Sequence, residues 1–123
     1  MEVICPYCGK PAEFVDSNLV YGRSFGMIYL CAPCDARVGV KKGTDIPIGT
    51  LADALLREHR KLTHAVFDPL WKSRQMTRSK AYLWLSRRMG LNTLQCHIGK
   101  FNVEQCQKAI QLVRSRNLGN ETK

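Results

Sequence analysis

The chain has 123 residues, is 45% hydrophobic and carries a formal net charge of +9. That length allows one domain, or a small module fused to a slightly larger one, and enough core for a globular fold. No apolar run approaches the roughly 18 residues of a membrane span, and Met1-Glu2-Val3-Ile4-Cys5 has neither the basic nor the apolar region of a secretion signal, so a reducing cytoplasm is the expected compartment.

In chain order, Val3-Ile4, Glu13-Phe14-Val15, Met27-Ile28-Tyr29-Leu30 and Ala36-Arg37-Val38-Gly39-Val40 read as short strands. Asp16-Ser17-Asn18 and Gly22-Arg23-Ser24-Phe25-Gly26 read as turns between them. Gly43, Pro47 and Gly49 then forbid a helix before Thr50. From Thr50 the apolar period becomes helical. Thr50 with Asp53 forms a weak capping box for a helix over residues 50–67, with Leu51, Leu55, Leu62 and Val66 as its apolar stripe. Asp68-Pro69 ends it. A second helix starts at Thr77, stops near Gly90 and lines Ala81, Tyr82, Leu85 and Met89 on one face. A third starts with Asn102 as cap and Gln105 as its box partner, with Val103, Cys106, Ile110 and Val113 as its stripe. The last residues, Asn117–Lys123, are expected to fray.

Charge follows the same division. Residues 1–48 hold five basic and five acidic side chains, whereas residues 49–123 hold fourteen and five. The second half therefore predicts an acidic partner, of which nucleic acid is the commonest. A surface that is merely soluble is the alternative.

In a reducing compartment six cysteines are ligands or core thiols before they are disulfides. Four of them form two matched pairs, Cys5-Pro6-Tyr7-Cys8-Gly9 and Cys31-Ala32-Pro33-Cys34-Asp35, with 22 residues between Cys8 and Cys31. A two-residue gap lets both sulfurs of one turn face the same ion, and Zn²⁺ takes four thiolates tetrahedrally. Two such turns at the ends of β-hairpins make a zinc ribbon. A redox pair comes singly in an α/β setting, and ribbon spacing favours zinc over an iron–sulfur cluster. A catalytic zinc keeps a position open for water; four thiolates leave none and put a charge of about −2 on the site. The predicted cofactor is structural Zn²⁺ at Cys5, Cys8, Cys31 and Cys34, and no enzyme activity is expected.

His59 and His64 lie five apart, too far around a helix to share a metal. His59 flanks the apolar stripe and reads as a core histidine. His64, one turn before Asp68, makes a helix-end charge pair more readily than a general base. Cys96-His97 and Cys106 invite a second metal site, but adjacent ligands are strained and Cys106 lies on an apolar stripe, so core packing is expected.

Residues 72–88 contain six basic side chains and no acidic one. On the second helix Lys80 and Arg88 flank Trp84 at four residues to either side, away from the apolar stripe. Cations that track phosphate around a ring that stacks on a base describe a nucleic-acid surface. Packing of Trp84 in the fold, with its neighbours extended to solvent, is the alternative. The predicted binding residues are Lys72, Arg74, Arg78, Lys80, Trp84, Arg87 and Arg88. Lys41 and Lys42 could extend the patch.

The segments CPYCG, CAPCDARVG, KGTDIPIGTLADALLREHRKLTHAVFDPLW, AYLWLSRRMG and CHIGKFNVEQC together resemble a family of small phage and bacterial proteins described only as a zinc-finger-containing domain. The resemblance covers Cys5 to about Val113. It implies a zinc site at Cys5, Cys8, Cys31 and Cys34 and a phage or prophage origin, and it implies no activity. Many members carry a Cys-His pair before the Gly-Thr turn; Val40 and Lys41 stand there in this chain, so no role of that pair carries over. The FDPLW segment, Phe67 to Trp71, reads as a packed corner after the first helix.

The expected fold is α+β: a zinc ribbon over residues 1–48, then a basic region over 49–123 with three α-helices, packed as one compact domain. The expected function is non-catalytic binding of DNA or RNA by a phage-type protein through the basic helical surface. The alternative is a module that docks on an acidic host protein of the transcription or defence machinery. No membrane and no small-molecule substrate are implied.

Overall fold

The structure is a computed structural model that describes residues 1–119; Asn120–Lys123, the end of the expected frayed tail, lie outside the described residues. The architecture is α+β, an antiparallel three-stranded sheet followed by helices. The chain divides into two compact units, Met1–Leu55 and the residues from Leu56 onward.

The first unit is a meander of β1 (Glu13–Asp16), β2 (Met27–Cys31) and β3 (Ala36–Gly39), with Phe14 opposite Tyr29 and Tyr29 opposite Val38. A four-residue helix, α1 (Asn18–Tyr21), sits between β1 and β2, running from the first of the two predicted turns to the second. Its start is fixed by Asp16, whose Oδ1 accepts the Asn18 N–H at 2.9 Å, a local bond of the kind short acidic side chains favour. The expected strand at Val3-Ile4 is a single bridge, Ile4 with Pro11.

This unit has little core. Cys5, Tyr29, Cys31, Ala36 and Leu51 form its buried cluster, with Val3, Ala12, Cys34, Val38 and Val40 packed around them. Two zinc-site cysteines, Cys5 and Cys31, thus belong to the core itself, and Cys34 packs against it.

One element begins later than its pattern predicts. The first long helix, α2, spans Ala54–Phe67 and not 50–67. Its first helical residue lies beyond both Thr50 and Asp53. Leu51 is buried in the core of the first unit, and Ala52 exchanges both backbone hydrogen bonds with Arg37 at 3.1 Å, which adds a short edge to β3. The Asp53 N–H donates to the Tyr7 hydroxyl at 3.0 Å. Because Leu51 belongs to the sheet, it set the helical phase wrongly. The face that α2 buries is Leu56, Thr63 and Phe67, whereas Leu55 and Leu62 are exposed.

The second unit packs α2 with α3 (Pro69–Lys72), α4 (Arg78–Met89) and α5 (Val103–Asn117). The three-helix expectation holds for α2, α4 and α5, and the corner after α2 contains the short α3. Pro69 suits its first turn, where no backbone N–H is needed. Thr77 caps α4 by accepting the Lys80 N–H at 3.1 Å, and Gly90 ends it with φ 69°. Asn102 and Gln105 form the full reciprocal box at α5, at 2.8 and 2.9 Å. The faces of α4 (Ala81, Tyr82, Leu85) and α5 (Cys106, Ala109, Val113) are buried, together with Phe67, Leu70, Ile98 and Phe101. The Phe67 and Tyr82 rings lie 4.7 Å apart.

Candidate functional site

The two Cys-x-x-Cys turns are built alike. In the first, the Gly9 N–H returns to the Cys5 carbonyl at 2.9 Å and Gly9 takes φ 76°. In the second, Ala32–Cys34 form a 3-10 turn, the Asp35 N–H returns to the Ala32 carbonyl at 3.1 Å, and Asp35 takes φ 50°. Each chain thus leaves its second cysteine through a left-handed residue. Glycine does this freely, and aspartate is one of the few side chains that tolerates it. The first turn is closed by the Val3–Ala12 backbone pairing on either side of it, and the second links β2 to β3.

The four sulfurs converge within 4.8 Å of one another, and Cys8 Sγ lies 3.7 Å from Cys31 Sγ. A tetrahedron with Zn–S bonds of about 2.3 Å has edges of about 3.8 Å, so the residues fit the ion. The protein's own groups favour the thiolate at Cys8 and disfavour it at Cys31 and Cys34. The Lys10 backbone N–H, aided by the neighbouring thiols and against burial, brings Cys8 down to about 7. The Cys34 backbone N–H lowers Cys31, but burial and the adjoining thiols outweigh it and its pKa rises. Burial, then the thiols of Cys31, Cys8 and Cys5, pushes Cys34 up to about 12. Four thiols this close cannot all ionise on their own. A divalent cation relieves that repulsion and takes all four as thiolates.

A family described as a zinc-finger-containing domain matches residues 1–116. The chain belongs to that family. No curated protein and no solved structure matches it. The family's zinc is structural in this member: with four sulfur ligands the ion has no open position for water or substrate.

Apart from Lys41 and Lys42, which lie in the first unit, the rest of this zinc-finger-containing protein's predicted chemistry lies in the second unit. Among the described residues only Cys5, Cys8, Cys31 and Cys34 form a cluster of three or more metal-ligating groups. Cys96 and Cys106 are fully buried thiols. Burial pushes Cys96 up to about 11, and it raises Cys106 against the opposing influence of the Thr63 hydroxyl and the Arg60 charge. Both are inert core residues. His59 is half-buried, and its carbonyl accepts the Thr63 hydroxyl at 2.7 Å. His64 Nδ1 meets the Asp68 carboxylate at 3.1 and 3.2 Å on an exposed helix end, the geometry of a helix-end pair.

The structure gathers the predicted basic residues around α3 and α4. Lys80, Trp84, Arg87 and Arg88 line an open cleft with Leu83, about 570 Å³ in volume. Arg74 and Lys80 line a second cleft of about 400 Å³. Lys72 and Arg78 stand 5.6 and 5.8 Å from the Trp71 ring, and Arg78 also lies 4.9 Å from the Tyr82 ring. Arg74 holds φ 65°, a left-handed conformation uncommon outside glycine and asparagine.

Sequence reasoning missed two members of this face. Trp71, taken as a corner anchor, is only half-buried and forms a wall of the second cleft. Arg116 reaches from α5 to stand 5.9 Å from the Trp84 ring. The signal for Trp71 was present in its flanking cations Lys72 and Arg74. Arg116 carried none, because only the packing of α5 beside α4 brings it there.

Proposed function

We propose that this protein binds nucleic acid without catalysis, through the basic face of its second unit, in a reducing cytoplasm such as that of a phage host. One observation carries the reading: Lys80, Arg87 and Arg88 surround the half-buried Trp84 in a single cleft. The sequence around it supports the same partner. From Pro69 to Val103 the chain has seven cations (Lys72, Arg74, Arg78, Lys80, Arg87, Arg88 and Lys100) and no carboxylate side chain. Guanidinium and ammonium groups neutralise phosphate, and a ring among them offers a stacking surface. The zinc site supports a non-catalytic role, since its ligand set is closed.

The test is a salt titration. If Lys72, Arg74, Arg78, Lys80, Arg87 and Arg88 all meet phosphates, log affinity falls with log salt at a slope of about −4 on single strands and about −5 on duplex. Affinity that does not change with salt, or no binding at low salt, contradicts the proposal.

The same cleft supports a second reading. Leu83 is 38% exposed beside Trp84, and an apolar centre with a charged rim also suits docking on an acidic protein. A pull-down from host lysate with and without nuclease separates the two: nucleic-acid binding is lost with nuclease, protein docking is not.

A further inference from the structure

We propose that Trp71 and Trp84 form a two-site stacking track for single-stranded nucleic acid along α3 and α4. This rests on the nucleic-acid reading above, and adds strandedness and Trp71.

The two clefts are adjacent. Lys80 walls both: with Trp71, Arg74 and Gln75 in one, and with Trp84, Arg87 and Arg88 in the other. Arg116 links them a second time, since its guanidinium stands 5.9 Å from the Trp84 ring and donates to Gln75 Oε1 at 3.5 Å. Each cleft therefore pairs one indole with cations, and a shared lysine stands between. From Thr77 to Arg88 the helix advances about 16 Å, so the track is longer than a single base.

A stacking wall is of use only to a base whose face is free. In a duplex the faces are covered by neighbouring pairs, and cations alone would serve. In a single strand each base can turn onto an aromatic side chain while its phosphates follow the charged rim. Two indoles set into clefts, rather than one aromatic on a flat basic face, favour the single strand.

The chain has two tryptophans, and both lie on this track, so each can be read alone. Trp84→Phe leaves the emission of Trp71, and Trp71→Phe leaves that of Trp84. Each variant is titrated at low salt with an oligothymidine of about fifteen nucleotides and with a duplex of equal length. Circular dichroism confirms that each is folded. The expected result is quenching of both tryptophans by the single strand and tighter binding of the single strand than of the duplex. Trp84→Ala is expected to weaken single-strand binding about tenfold and duplex binding little. Quenching of one tryptophan alone overturns the two-site track. Equal affinity for duplex without quenching of either overturns single-strand selectivity and leaves the nucleic-acid reading standing. No binding to either oligonucleotide, with quenching by polyglutamate instead, overturns both and favours an acidic protein.

Discussion

The two units solve the problem of stability in opposite ways. Among the larger side chains that are fully buried, only Leu51, Cys5 and Ser17 belong to the first unit, while Phe67, Leu70, Leu85, Ile98, Phe101 and Val113 belong to the second. The first unit is charge-balanced over residues 1–48, and its core is shared with its metal site. The second has an apolar core and a one-sided surface. Where the metal is part of the core, its loss is a loss of fold. Where the core is apolar, the surface is free to carry charge.

The largest effect expected from this contrast is that of metal removal. In small zinc domains the ion contributes an apparent 10–16 kcal/mol, roughly, coupled to folding. A strong chelator, or Cys8→Ser, is expected to unfold β1, β2 and β3, seen as loss of amide protection in those strands. Both tryptophans lie in the second unit, so their emission is expected to change much less. Equal loss of both signals would break the comparison.

The second unit should instead respond to core truncation. Phe67 is fully buried against Tyr82, and Phe67→Ala is expected to cost about 3–5 kcal/mol. The shift appears in the urea midpoint followed by tryptophan emission, with zinc content unchanged.

The smallest effect is a pH dependence. Burial, then the charges of Lys100 and Arg78, holds the pKa of His97 below its usual value. The unfolded chain therefore binds a proton near pH 6.5 that the folded unit resists. Stability of the second unit is expected to fall as pH drops through that value and to recover above it. His97→Gln should flatten the dependence of the urea midpoint between about pH 5.5 and 7.5. An unchanged slope in that variant would assign the effect elsewhere.

The zinc site was legible because ligand spacing is a local code: Cys5, Cys8, Cys31 and Cys34 name themselves by interval. The caps at Thr77, Gly90 and Asn102 were legible for the same reason. What failed was phase. Leu51 looks helical in a window that runs from Thr50 to Phe67, yet it serves the sheet, and nothing local distinguishes the two uses. Local pattern also missed α1, whose start depends on the Asp16 side chain, and Arg116, which only the meeting of α4 and α5 brings to Trp84. Trp71 was visible but assigned to packing, since burial of one edge and exposure of the other look alike in a sequence.

The central claim is that the zinc module gives structure and the basic helical face gives binding. The most direct test is the double charge reversal Arg87→Glu/Arg88→Glu, with bound zinc and oligonucleotide affinity measured on the same preparation. The account predicts one zinc per chain, as in the unaltered protein, with affinity reduced more than tenfold and a salt slope shallower by about 2. Affinity that is unchanged by the reversal, in a folded protein with its zinc in place, would contradict it.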